Sequence, residues 1–136
     1  MSKIKLGIIG SSDGNGHPYS WSAICNGYNR EKMSLCPFGT IPKYLDKYCN
    51  SSTIIKNASV THVWTQSLVN SRLIADASLI NHVVEKPEDM IGEVDAVLLA
   101  RDDAENHYEM ALPFLKSGKP IFIDKPIAYT LSLIHI

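Results

Sequence analysis

Ile4-Lys-Leu-Gly-Ile-Ile-Gly10 runs directly into Ser11-Ser-Asp-Gly-Asn-Gly-His17, and Pro18 follows. A short apolar run closed by glycine predicts a strand buried on both faces of a parallel sheet. The turn after it is polar and rich in glycine. Pro18 suits the start of a helix, because its fixed φ is already helical and its missing N–H needs no partner there. Strand, glycine turn and helix in this order open a doubly wound α/β domain, with the first helix expected over about Pro18 to Tyr28.

Downstream residues repeat the alternation. From Asn29 to Asn57 the pattern is irregular, with Pro37, Gly39 and Pro42 as breakers and one short helix expected near Lys43 to Tyr48. Ser59-Val-Thr-His-Val-Trp-Thr65 is β-branched and aromatic and predicts a second strand. A helix over about Leu68 to Ile80 follows, with Ser67 as its cap. His82 to Glu85 reads as a third strand, Glu88 to Ile91 as a helical turn, and Asp95 to Ala100 as a fourth, almost wholly apolar strand. A helix over Ala104 to Ser117 closes at Gly118, which suits the left-handed position that ends many helices. Pro120 to Asp124 is the fifth strand. Strands alternating with helices imply right-handed crossovers and a parallel sheet covered on both faces.

The chain has 136 residues, 45% hydrophobic and 20% charged, which fits one globular domain. A formal net charge of -1 lacks the basic footprint of a phosphate-backbone binder, so nucleic acid is not an expected partner. The amino-terminal apolar run is short and broken by Lys3 and Lys5, unlike a signal-peptide core, and no segment approaches the roughly 20 apolar residues of a membrane span. Cys25, Cys36 and Cys49 are odd in number and lack CxxC spacing, which predicts free thiols, no metal site and a cytoplasmic location.

Ligands of such sheets bind beyond the carboxyl ends of the strands, where the strand order reverses. Three segments leave those ends: Gly10 to His17, Arg101 to His107, and Asp124 to Pro126. In the first, small residues let backbone N–H groups reach a pyrophosphate at a helix amino terminus, which makes Gly10, Ser11, Ser12, Gly14 and Gly16 the candidate cofactor ligands. The spacing departs from GxGxxG in both registers: counting from Gly10 reaches Ser12 and Asn15, and counting from Gly14 reaches Gly16 and Tyr19. The second strand ends in Thr65-Gln-Ser67, with no carboxylate for an adenosine ribose and no arginine for a 2′-phosphate, so NAD and NADP are both open. His17 and Tyr19 leave the turn at the helix start and are candidate substrate contacts. Trp21 and Tyr28 are expected to fill the layer between helix and sheet. Asp102 and Glu105 have the spacing of a capping pair.

Asn106-His-Tyr-Glu-Met-Ala-Leu112, followed by Ser117-Gly-Lys-Pro-Ile-Phe-Ile-Asp-Lys-Pro-Ile-Ala128, resembles the Gfo/Idh/MocA family of nicotinamide-dependent oxidoreductases. In that family a helix of this type leads through a glycine to a strand ending in Glu-Lys-Pro. With Gly7-Ile-Ile-Gly10 the similarity spans Ile4 to Ala128. The resemblance implies that Lys125 reaches the nicotinamide and the substrate hydroxyl, as the catalytic residue. Pro126 fixes the corner, and His107 lies near the nicotinamide half. Asp124 stands where the family has Glu. Arg101-Asp-Asp103 departs from the family's Thr/Ser-Pro turn.

The resemblance further implies that residues 1–128 form an NAD(P)-binding, Rossmann-like doubly wound domain whose sheet is incomplete at the carboxyl end. Residues 129–136 then read as a truncated or non-native tail, and a carboxyl-terminal substrate domain, which would carry the oligomer interface, is expected to be missing. The complete protein would transfer hydride between the cofactor and a sugar or nucleotide-sugar hydroxyl. The incomplete glycine pattern leaves a second reading open, a catalytically silent nucleotide- or sugar-binding module on the same fold.

Overall fold

The computed structural model describes residues 2–135, so Met1 and Ile136, the outer ends of the opening segment and of the tail, lie outside the described residues. Five strands, β1 (Ile4–Ile9), β2 (Ala58–Trp64), β3 (His82–Val83), β4 (Ala96–Leu99) and β5 (Ile121–Ile123), form one sheet in the order β3-β2-β1-β4-β5. Every neighbouring pair is parallel. The chain therefore builds outward from β1 to β3 and then crosses back to lay β4 on the other side of β1. That reversal opens a crevice between the carboxyl ends of β1 and β4, the place where doubly wound sheets hold ligands.

Among the described residues six α-helices flank the sheet: α1 (His17–Asn26), α2 (Arg30–Ser34), α3 (Thr40–Tyr48), α4 (Leu68–Ala77), α5 (His107–Lys116) and α6 (Leu131–Ile134). On one face of the sheet Ile8, Val60 and Val63 pack with Tyr19, Ala23, Met33, Leu45 and Ile74. On the other, Ile9, Val97 and Leu99 pack with Met90, Ala111 and Phe114. Successive residues of β1 thus point into opposite cores, which is why its sequence is apolar without alternation.

Several sequence expectations are corrected. α1 ends at Asn26 rather than Tyr28, because Gly27 takes a left-handed φ of 78°. The Asn26 side chain bonds the N–H and C=O of Val60 at 2.9 and 2.8 Å, anchoring the helix end to β2. The segment read as irregular holds two helices, α2 and α3. Pro42 is no breaker there, since it lies in the first turn of α3, where the N–H has no helical acceptor to lose. The helix expected from Ala104 begins as a 3₁₀ turn over Ala104–Asn106. The tail read as truncated or non-native carries the short helix α6, which buries none of its side chains; Leu133 and Ile134 line an open groove with Tyr108, Leu112 and Ile127. Ser67 caps α4 and Gly118 closes α5 at φ 70°, both as expected.

Candidate functional site

The crevice gathers all three predicted segments. Gly10 must be glycine, because a Cβ there would lie 2.3 Å from Cγ of Pro18; the absence of a side chain lets α1 start directly against β1. Gly16 is similarly confined, by Ile41 and the Phe38 ring. Gly14, at φ 72°, has open space where a side chain would be. Among the described residues no hydrogen bond uses the N–H of Ser12, Asp13, Gly14 or Gly16. Four free N–H groups at the amino end of a ten-residue helix fit the anionic pyrophosphate of a dinucleotide. Beside them lies a cavity of about 490 Å³, bordered by Ser11 to Asn15, Tyr19, Phe38, Gln66 and Asn70.

The turn is braced by residues that sequence reasoning missed. Gln66, at the end of β2, accepts from the Ser11 N–H at 3.2 Å and donates to the Ser11 carbonyl at 2.7 Å. Arg101 donates to the same Gln66 at 2.9 Å. Arg101 is only 6% exposed and also forks onto both Asp103 oxygens. Burial alone would raise the Asp103 carboxyl, but the hydrogen bonds and charge of Arg101, with help from Asn106, bring it below the usual carboxylate range.

Asp102 does not cap the following turn. Its Oδ1 accepts the Ser12 hydroxyl at 2.5 Å and its own N–H donates back to Ser12 Oγ at 3.1 Å. The Ser12 hydroxyl chiefly, against a burial effect, lowers the Asp102 carboxyl, with Asn15 and the charge of Lys125 adding to it. The expected Asp102–Glu105 capping pair fails because Asp102 points back to the glycine turn, and the 3₁₀ turn has no side-chain cap. Ser12 is turned inward, which leaves its N–H free and its hydroxyl engaged with Asp102.

His107 is 1% exposed, with Nε2 donating to the Arg101 carbonyl at 2.9 Å and Nδ1 3.3 Å from the Ile127 carbonyl. It ties the loop after β4 to the loop after β5. Tyr19 is buried against Phe38 and borders the cavity, and burial together with nearby Cys36 pushes its hydroxyl up to about 12. Trp21 and Tyr28 are half-buried and pack against the core as expected; Trp21 also stacks on His17, and Tyr28 donates to Asp46 at 2.7 Å. Lys125 is exposed at the carboxyl end of β5, its N–H held by Asp124 Oδ1 at 2.9 Å, and the Lys125–Pro126 bond is cis. The signal that could have found Asn15 is its place two residues before His17, where its Oδ1 accepts the His17 N–H at 2.8 Å in an Asx turn. Among the described residues no cluster of His, Cys, Asp or Glu is arranged to hold a metal, and no helix is long and apolar enough to cross a membrane.

Glycine turn, strand-order reversal and free N–H groups together define a dinucleotide-binding α/β domain. Residues 38–135 match the oxidoreductase family with an NAD-binding Rossmann fold, Gfo/Idh/MocA, and the chain belongs to that family. The match begins after the glycine turn. No curated protein sequence matches the chain. Among solved structures, apo scyllo-inositol dehydrogenase from Lactobacillus casei is similar with a TM-score of 0.61 at 18% identity, covering 98% of this chain and 32% of its own. The same enzyme is also known with bound NAD(H) and scyllo-inositol. UDP-N-acetylglucosamine 3-dehydrogenase from Acidithiobacillus ferrooxidans is similar with a TM-score of 0.62 at 14% identity, covering 99% of this chain and 34% of its own. The chain spans about a third of the length of these proteins.

Proposed function

We propose that this domain holds NAD or NADP for a longer cytosolic protein that moves hydride between the nicotinamide and a hydroxyl-bearing carbon of a sugar or sugar derivative. The observation that carries the reading is the meeting, at one crevice, of a glycine turn with four free N–H groups and the Asp124-Lys125-Pro126 corner. Gly10, Gly14 and Gly16 admit the pyrophosphate, and the N–H groups of Ser12, Asp13, Gly14 and Gly16 hold it. Ser11 contributes by position, since Gln66 occupies its backbone. Lys125 contacts the substrate hydroxyl and assists loss of its proton. Pro126 sets the corner from which Lys125 projects, and His107 fixes the two loops on either side of it. His17 and Tyr19 border the substrate side. The cofactor supplies the hydride acceptor; the protein orients the reacting groups. Oligomer contacts belong to the part of the longer protein beyond this domain, and three unpaired thiols suit a reducing compartment.

A thermal-shift titration of this chain with NAD, NADH, NADP and NADPH tests the reading, because a ligand that binds only the folded state raises its melting temperature. A saturable shift is expected, reduced in Lys125→Ala, while the melting temperature of the free variant stays unchanged because Lys125 is exposed. A folded chain that responds to none of the four overturns it.

A further inference from the structure

Doubly wound domains that take NAD hold the adenosine ribose with a carboxylate near the end of the second strand. Here that position is Gln66, and its amide is already spent on both backbone groups of Ser11 and on Arg101. Arg101 has no charge to spare either, being 6% exposed and forked onto Asp103. The connection from α1 to β2 also departs from the usual one of about 2–6 residues. It inserts α2 and α3 between Asn26 and Ala58, and the turn joining them sets the Phe38 ring against Gly16. Phe38, with Leu73 and Ile74 of α4, gives the cavity of about 490 Å³ an apolar side.

Its polar side is the glycine turn itself. Of the residues bordering this cavity, Asp13 alone carries a charge. Its side chain is exposed and has no hydrogen-bond or ion-pair partner among the described residues. Asp13 lies between Ser12 and Gly14, whose N–H groups are free for a pyrophosphate, and the adenosine ribose is joined directly to that pyrophosphate. Lys32 of α2 borders a separate cleft, which it shares with Asp76.

We propose that Asp13 replaces the missing strand-end acid: it accepts from the ribose hydroxyls and selects NAD over NADP. The proposal rests on the nucleotide-binding reading above. A carboxylate only accepts, and two neighbouring hydroxyls can donate to its two oxygens. A 2′-phosphate replaces one of those donors with acceptor oxygens and adds a charge of about -1.5 to -2. No cation borders the cavity to offset it, so like charges face each other. Asp13 repels the pyrophosphate too, but equally in both cofactors, and that cost cancels from the comparison. The turn thus attracts the pyrophosphate through its N–H groups and rejects the additional phosphate through its one charged side chain.

Titration calorimetry of the chain with NADH and with NADPH gives the ratio of dissociation constants, which should favour NADH roughly tenfold. Asp13→Asn keeps the shape and an acceptor but removes the charge, and should bring the ratio to about threefold or less. The variant should melt like the wild type, because Asp13 is exposed and unbonded. A second measurement needs no variant. Between about 0.01 and 1 M salt the Debye length falls from about 30 Å to about 3 Å, so the NADH advantage should shrink as salt rises. NADPH bound as tightly as NADH, or an advantage that persists undiminished in Asp13→Asn or in high salt, overturns the proposal and leaves the nucleotide-binding reading standing. Binding of neither cofactor to a folded chain overturns both.

Discussion

Replacing Gly10 with alanine tests the joint on which the site depends. The added Cβ would sit 2.3 Å from Cγ and 3.2 Å from Cβ of Pro18, a rigid ring that has no rotamer by which to retreat. Carbon atoms in contact settle near 3.5–4.0 Å, so β1 and the start of α1 must separate by roughly 1 Å. Overpacking of this kind costs about 1–3 kcal/mol. With an unfolding entropy of about 2.1 cal/mol/K per residue, a chain of this length should melt roughly 3–10 °C lower. The four free N–H groups shift with the helix start, so dinucleotide affinity should fall about tenfold for each 1.4 kcal/mol lost from binding. Differential scanning fluorimetry and an NADH titration measure both effects. Removing the ring in Gly10→Ala/Pro18→Ala should recover most of the loss, a non-additivity expected only of residues in contact. Gly39→Ala, with open space and an ordinary helical φ of -58°, is the control and should be close to neutral. A Gly10→Ala chain that melts and binds NADH like the wild type would refute the reasoning.

Gln66→Asp places a carboxylate at the end of β2, where it meets the ribose hydroxyls and repels a 2′-phosphate; comparative thermal shifts should then favour NADH over NADPH more than in the wild type. The Asp102 carboxyl is depressed when folded, so its stabilising effect is full above the unfolded value near 4 and disappears as pH falls through the folded value. Ser12→Ala removes the largest cause of that depression, so its stability deficit in denaturant melts should be greatest at neutral pH and shrink in acid. His107→Ala leaves the Arg101 and Ile127 carbonyls without their partner and opens a buried space, with an expected loss of about 2–4 kcal/mol in urea unfolding.

The fold was legible in the sequence because its signals are local. The apolar run at Ile4–Gly10, the glycine turn, the Pro18 start, the Ser67 cap and the Gly118 stop each act within a few residues, and period and turn chemistry order them as strand and helix. The same locality made the Asn106–Ala128 passage recognisable. Long-range partnerships were not legible. Nothing in Arg101-Asp-Asp103 says that Arg101 closes on Asp103 and Gln66 while Asp102 turns to Ser12, a residue 90 positions away. The Asp102–Glu105 spacing suggested a helix cap, yet a hydroxyl at the neighbouring carboxyl end of β1 competed for the same carboxylate. Likewise nothing near His107 says that its ring reaches the Arg101 and Ile127 carbonyls, or that Trp21, packed against the core as expected, also stacks on His17. Sequence by itself determined which segments reach the carboxyl edge of the sheet, since in an all-parallel βαβ alternation every strand-to-helix connection leaves at that edge, whatever the strand order. Only the tertiary structure decided what those side chains do there, because each polar group chooses among acceptors that the chain path alone brings within 3 Å.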